Sequence, residues 1–215
     1  REGRWRGEAV GLRRDEVTFP LEVSLTVIEG GGLIWVVRDI TERKQTEEKL
    51  RFISTHDSLT GLYNRAYFEL ELDRLDRSRQ FPVSVVMVDV DGLKKVNDTK
   101  GHAAGDQLLQ QAAKVLSSVF RAEDMVARIG GDEFVVLLPG SDAAAVDNAL
   151  QRIRLTIAEN CISCNDDGVS LSLGAATATE AGGLLQAIKQ ADQRMYQDKL
   201  SRGCRDRQAT LTALR

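Results

Sequence analysis

The sequence predicts an α/β chain of the α+β kind: a mixed central β-sheet flanked by helices, with a small antiparallel β-segment ahead of it. Three observations carry that expectation. Phe81 to Val90 is a nearly continuous apolar run containing Val83, Val85, Val86, Met87 and Val88, which fits a central strand buried on both faces. Ala127 to Leu138 holds two apolar segments around Gly130 and Gly131, with Asp132 and Glu133 opening the second, and reads as a β-hairpin with acid at its tip. Segments with helical spacing of apolar residues lie between these strands, and helices interleaved with strands, one pair being a tight hairpin, give a mixed sheet covered on its faces.

Composition narrows the partners. The 215 residues carry a formal net charge of -3 with both signs mixed, so no broad basic field exists to hold a nucleic-acid polymer or an anionic membrane. No apolar run reaches the length of a membrane span, and Arg1 is not a start methionine; the chain is expected to be a piece of a longer one, with any membrane anchor upstream. Cys161, Cys164 and Cys204 include one Cys-x-x-Cys spacing, but no second pair or histidine pair completes a zinc site. Reduced thiols, and with them a cytoplasmic location, are the expectation.

Taken in order, Trp5 to Leu12 reads as a strand. From Val17 to Val27 the odd residues are apolar, the two-residue period of a half-buried strand, with Pro20 suggesting an edge or a bulge. Gly30 to Gly32 makes a turn and Leu33 to Ile40 a third strand. Three antiparallel strands do not make a stable domain alone. Thr41 to Ser54 is rich in helix formers but has little apolar face beyond Leu50, Phe52 and Ile53, so it reads as a connector helix, marginal by itself. His56 to Arg65 breaks the pattern at Gly61, and the helix after it puts Phe68, Leu72 and Leu75 on one face. The strand to Val90 ends in Asp89 and Asp91. A short helical turn follows, then a helix after Gly105 with Leu108, Leu109, Ala112, Val115, Leu116 and Val119 turned to the sheet. After the hairpin come a helix with Ala145, Ala149, Ile153 and Ile157 inward, a strand from Val169 to Ala175 and a last helix with Leu184, Ile188, Ala191 and Met195. The hairpin glycines are expected to supply the positive backbone angles of a two-residue turn and to let phosphates approach the main chain.

Asp89 at a strand end and Asp132 and Glu133 at a hairpin beside it would converge if their strands are neighbours, and clustered carboxylate oxygens suit Mg²⁺. Gly92, Leu93 and Lys94 begin a helical turn whose amides and lysine charge suit phosphate. An aspartate can accept from N1-H and N2-H of guanine together, whereas adenine would leave it unpaired.

The segment around Gly130-Gly131-Asp132-Glu133-Phe134 resembles the signature of the GGDEF family, the diguanylate cyclases; so do His56 to Arg65, Asn97 to Asp106 and Tyr196 to Lys199. The resemblance implies a palm-like, nucleotide-cyclase-like domain over residues 56–215. It also implies condensation of two GTP into cyclic di-GMP and two pyrophosphates across a homodimer. In that reading Asp89, the Val90 carbonyl, Asp132 and Glu133 bind two Mg²⁺, with Mn²⁺ as the alternative, and Asp132 or Glu133 assists the 3′-hydroxyl. Gly92, Leu93, Lys94, Gly130, Gly131 and Lys199 hold phosphates, and Asn97 and Asp106 read the base. The terminal glycine falls one residue late, leaving Arg202 or Arg205 for the arginine role. Arg121 and Asp124 stand at the offset of the family's inhibitory Arg-x-x-Asp site for cyclic di-GMP, with Arg152 as its second face. Residues 1–40, ending in the stretch Trp35 to Lys44, resemble the C-terminal half of a PAS sensor domain, and 41–55 a signalling linker helix. The competing expectation is a catalytically silent module that binds GTP or cyclic di-GMP.

Overall fold

The computed structural model describes residues 3–28, 30–121, 123–163 and 168–213, with side chains described outside 160–163 and up to 202. The three cysteines and Arg205 therefore lie outside the described side chains. The chain divides into two compact units, Arg1–Ile53 and Ser54–Arg215.

The first unit is an antiparallel sheet of β1 (Arg4–Leu12), β2 (Thr18–Ile28) and β3 (Gly32–Asp39), in that spatial order, leading into α1 (Thr41–Thr55). Pro20, expected to mark an edge or a bulge, lies on β2, which is the central strand. Val10 of β1 is its partner on one side, and on the other the Ile40 amide just past β3 donates to the Pro20 carbonyl at 3.1 Å, so the proline stands where the β2–β3 ladder ends, its last pair being Leu21 with Asp39. The period of β2 is also not that of an apolar face covered within this unit. The buried residue on β2 is Glu22, with the Arg6 guanidinium on both of its oxygens at 2.7 and 2.8 Å and Arg43 3.6 Å away. Those arginines, Arg6 first, hold the Glu22 carboxyl below its ordinary range. The other face pairs Trp5 with Leu25 and Leu25 with Trp35 in register, and the two tryptophans are 54% and 62% exposed. Asp39 starts α1 by accepting from the Thr41 amide at 2.9 Å, and Lys44 and Arg43 of its first turns reach Glu8 at 2.6 Å.

The second unit runs β4 (Tyr63–Asn64), α2 (Arg65–Asp76), β5 (Val83–Val90), α3 (Leu93–Lys100), α4 (His102–Val119), β6 (Met125–Arg128), β7 (Glu133–Pro139), α5 (Ala143–Ser163), β8 (Leu171–Ala178) and α6 (Leu184–Ala213). Its five strands are ordered β4-β6-β7-β5-β8, with β4–β6 parallel and the other pairs antiparallel. The mixed sheet expected from the pattern is therefore present. Two residues of β4 supply the parallel pairing, too short a strand to register as a period in the sequence. Every residue of β5 is buried. Val86, Val88 and Val90 enter one core with α4 and α5, while Val83, Val85 and Met87 enter the other with α2 and α6. Within α5, Val146 rather than Ala145 faces inward, one position from the expected stripe.

β8 is an edge strand, and α6 covers it. The Asp198 carboxylate accepts from the Leu173 amide at 3.0 Å, and Arg194 donates to the Ala175 carbonyl. Gly174 permits the approach: a Cβ there would lie 2.1 Å from the Ala191 carbonyl oxygen and the Met195 nitrogen.

Candidate active site

Two-residue alternation along β5 carries Asp89 onto the same side as Val85 and Met87, the side covered by α2 and α6. Asp89 is 5% exposed and directly opposite Glu133 in the β5–β7 register. Lys199 reaches it from α6, its Nζ 2.7 and 2.8 Å from the two carboxylate oxygens. Burial pushes the Asp89 carboxyl up; the lysine opposes this, and the fields of Asp132 and Asp91 add to the rise, so it titrates above the ordinary aspartate value. Burial lowers Lys199, but Asp89 and the same two neighbours outweigh it and leave the ammonium more tightly protonated than usual. Both shifts describe a pocket of clustered negative charge into which one cation is already drawn.

The hairpin differs from the two-residue turn expected. β6 ends at Arg128 and β7 begins at Glu133, so Ile129 to Asp132 form the connection, closed by Ile129 and Gly130 amides that both donate to the Glu133 carbonyl at 3.0 and 3.3 Å. Neither Gly130 nor Gly131 has a positive φ. A Cβ at Gly130 would lie 2.6 Å from Glu133 Oε2, the end of an exposed side chain that can turn aside, so a substitution there would shift Glu133 before it disturbed the backbone. Asp132 thus sits in the turn, its carbonyl accepting from the Val90 amide at 2.9 Å, which docks the turn onto the end of β5. Glu133 is exposed, and its charge acts on Arg65 at the start of α2.

Beyond Asp91, Gly92 takes a left-handed conformation (φ 74°) and α3 begins at Leu93, with Lys94 exposed in its first turn. α3 is a helix of eight residues rather than a single turn, and Gly101 (φ 85°) joins it directly to α4, which starts at His102 and not after Gly105. The two helices pack so closely at Gly105 that a Cβ there would meet Asn97 Oδ1 at 1.9 Å. Asp106, exposed, is the next residue. Asn97 therefore lies against the residue that precedes Asp106 in the chain. A cleft of about 470 Å³ opens along Val96, Thr99, Ala104, Gln107 and Gln111, a lining that includes neither Asn97 nor Asp106.

The remaining expected residues are distributed. Arg202 is turned to Asp198, its Nε 3.1 Å from the carboxylate, and not to Asp89. Arg121 is exposed, and its amide donates to Asp124 at 2.9 Å, closing the loop ahead of β6. Both residues line a cavity of about 290 Å³ with His56, Tyr63 and Phe120. Arg152 is exposed on α5 and is not part of that lining.

Sequence reasoning left three residues without a task. Asp91 accepts from the hydroxyls of Ser170 and Ser172 at 2.7 and 2.6 Å, fastening the loop after β5 to β8. Asp198 anchors the β8 edge, and Arg128 joins the hairpin to Asp57. The available signal was position: each lies within two residues of a singled-out motif.

The Ser54–Arg215 unit is thus an α+β domain with an acidic central-strand end held by Lys199 and an acidic hairpin beside it. A family model described as "Diguanylate cyclase, GGDEF domain" matches residues 54–205, and the chain belongs to that family. It is 36% identical over 216 residues to an "Uncharacterized signaling protein" of Caulobacter vibrioides, covering 94% of this chain and 26% of that protein. It is 41% identical over 153 residues to "Diguanylate cyclase DgcS" of Shewanella oneidensis, covering 69% of this chain and 51% of the relative. The chain thus spans about half of these curated relatives' length or less. Among solved structures it is similar to the coiled coil and GGDEF domain of DgcB from Caulobacter crescentus in complex with c-di-GMP, with a TM-score of 0.67, 29% identity and coverage of 75% of this chain and 89% of the other.

Proposed function

We propose that this chain is a diguanylate cyclase that condenses two GTP into cyclic di-GMP and two pyrophosphates across a homodimer. The observation that carries the reading is Asp89, buried at the end of the central strand, register-paired with Glu133, close enough to Asp132 to feel its charge, and holding a cation on both oxygens.

The donor set fits a divalent metal. Carboxylate oxygens of Asp89 and of Asp132 or Glu133 are hard donors of the kind Mg²⁺ takes beside waters and phosphate oxygens, and Mn²⁺ suits the same donors, although among the described residues no group of three His, Cys, Asp or Glu side chains is already gathered to hold an ion. Asp89, the Val90 carbonyl and Asp132 or Glu133 would hold it, and when bound it supplies charge neutralisation at the phosphates and activation of the attacking hydroxyl. The chain's own residues do the rest. Gly92, Leu93 and Lys94 offer helix-start amides and a charge to the phosphates, and Gly130 and Gly131 let them near the hairpin backbone. Asn97 and Asp106 orient guanine. Asp132 or Glu133 takes the 3′-hydroxyl proton, and Lys199 passes from Asp89 to the outer phosphates. Two such sites face to face bring each 3′-hydroxyl to the partner's α-phosphate, which converts a bimolecular attack into a positioned one.

Arg121 and Asp124, beside the 290 Å³ cavity, form the candidate inhibitory site for cyclic di-GMP, since arginine can bond guanine O6 and N7 together. Arg152 serves only as a contact from outside that cavity. Residues 1–40 are read as the C-terminal half of a PAS sensor domain, 41–55 as its output helix and 56–215 as the cyclase domain, working in the cytoplasm. A silent nucleotide-binding module is favoured by one observation, the pairing of Arg202 with Asp198 away from the carboxylates. Incubation with GTP and Mg²⁺ beside a Glu133→Ala control separates the two: product from the native chain alone supports the cyclase, and bound GTP without product supports the module.

A further inference from the structure

Arg128 has no part in the chemistry above, yet it is tied down beside the site. Its side chain is 15% exposed and its guanidinium reaches in two directions. One terminal nitrogen donates to Asp57 Oδ1 at 3.1 Å, and the other to the Gly131 carbonyl at 2.8 Å. Its Nε is buried without a hydrogen-bond partner among the described residues. A buried donor left unpaired is an expense, and it accompanies a planar fork whose two terminal nitrogens are both taken by separated acceptors.

Each acceptor belongs to a different functional segment. Gly131 lies one residue before Asp132, in the turn docked on β5 through the Val90 amide. Asp57 is the hub of the 56–63 loop: the same Oδ1 accepts from the Thr60 amide and hydroxyl at 2.9 and 2.7 Å, while the Asp57 amide and carbonyl bond Leu62 and Gly61. Burial raises the Asp57 carboxyl, but the Thr60 donors and Arg128 prevail and hold it below its ordinary value. Leu62 and Tyr63 of this loop also line the cavity that holds Arg121 and Asp124.

We propose that Arg128 is a positioning residue for the reaction, its fork making the 56–63 loop and the turn that carries Asp132 and Glu133 move as one body. Occupancy of the cavity beside Arg121, or displacement of the segment entering at Ser54, then reaches the acidic turn through Asp57 and Arg128. The inference rests on the diguanylate cyclase reading for its consequence in catalysis, but not for the link itself.

The test compares Arg128→Met, Arg128→Lys, Asp57→Asn and the Arg128→Met/Asp57→Asn pair by residue-resolved amide exchange, thermal midpoint and steady-state kinetics. The Ile129 and Gly130 amides, which close the turn, exchange about tenfold faster in either Arg128→Met or Asp57→Asn and no faster in the pair, while Leu137 in the same sheet is unchanged. kcat falls about tenfold with KM for GTP within about twofold, and Arg128→Lys does not restore it because a lysine cannot bridge two acceptors in a fixed plane. The proposal is overturned if turn exchange in Arg128→Met matches the native chain, if the two single effects multiply in the pair, or if Leu137 accelerates along with the turn, which would be a loss of stability and no more. A native chain that yields no product counts against the parent reading, and the exchange results still decide the link.

Discussion

Asp89 lies at 5% exposure among Asp91 and Asp132, with Lys199 as its partner, and burial first of all pushes its carboxyl up. A carboxyl whose folded pKa lies above its unfolded value binds its proton more tightly in the native state. The contribution of this one carboxyl to stability is then greatest at low pH and declines as pH rises through the window between the ordinary aspartate value and the raised one. Asp89→Asn removes that decline, so across the window the thermal midpoint of the variant should fall less with rising pH than that of the native chain, whatever the offset from leaving Lys199 without its partner. Parallel midpoint-against-pH curves for the two chains would refute the assignment of the shift. Lys199 makes a complementary prediction. Its ammonium lies on both oxygens of Asp89, so Lys199→Met should tighten Mn²⁺ binding without nucleotide by about tenfold while weakening GTP, read by manganese resonance titration. Metal affinity left unchanged would mean that the lysine does not compete for that place. Asp89 and Lys199 were each legible as motif residues, since strand ends and short signatures are local. Their contact was not, because 110 residues separate them and only the packing of α6 on the sheet brings them together.

Helix–strand packing sets the positions of these side chains, and two glycines show how. Gly174 lets the α6 backbone touch β8, so Gly174→Ala should cost about 3 kcal/mol or more and detach Lys199 and Asp198 along with the helix. Gly105 is different, because what a methyl group would meet is the end of the Asn97 side chain and not backbone. Gly105→Ala should lower guanine-nucleotide affinity about tenfold with a midpoint within a few degrees of the native chain, measured by calorimetric titration and thermal unfolding. The apolar run of β5, the helical stripes of α2, α4 and α6 and the hairpin were readable because each is a strong local period. β4 was not, being two residues long, and the turn was misread because a Gly-Gly step signals a two-residue turn whether or not its glycines take a positive φ. α3 was shortened to a single turn since Leu93 and Val96 give eight residues too little apolar pattern to mark their length.

Across the whole molecule, the two units have different needs. The Ser54–Arg215 unit has a core on each face of its sheet, whereas the Arg1–Ile53 unit shows a row of Trp5, Leu25 and Trp35 with both indoles more than half exposed. The sequence period of β2 marked this face as apolar, but period alone does not say whether anything in the same stretch of chain covers it. Because these are the chain's two tryptophans, their fluorescence reports the first unit alone; both should be quenched by iodide, and strong protection of either would contradict the exposed face. Among the described residues no helix is long and apolar enough to cross a membrane. The proposed catalysis also belongs to this scale, since one site holds one GTP and two must meet. The most direct measurement is product analysis of the purified chain with GTP and Mg²⁺ over a range of protein concentrations, beside Glu133→Ala. The account predicts cyclic di-GMP with two pyrophosphates per molecule, at a specific rate that climbs with protein concentration until dimers saturate, and none from the variant. Bound GTP and confirmed dimers without product would contradict it.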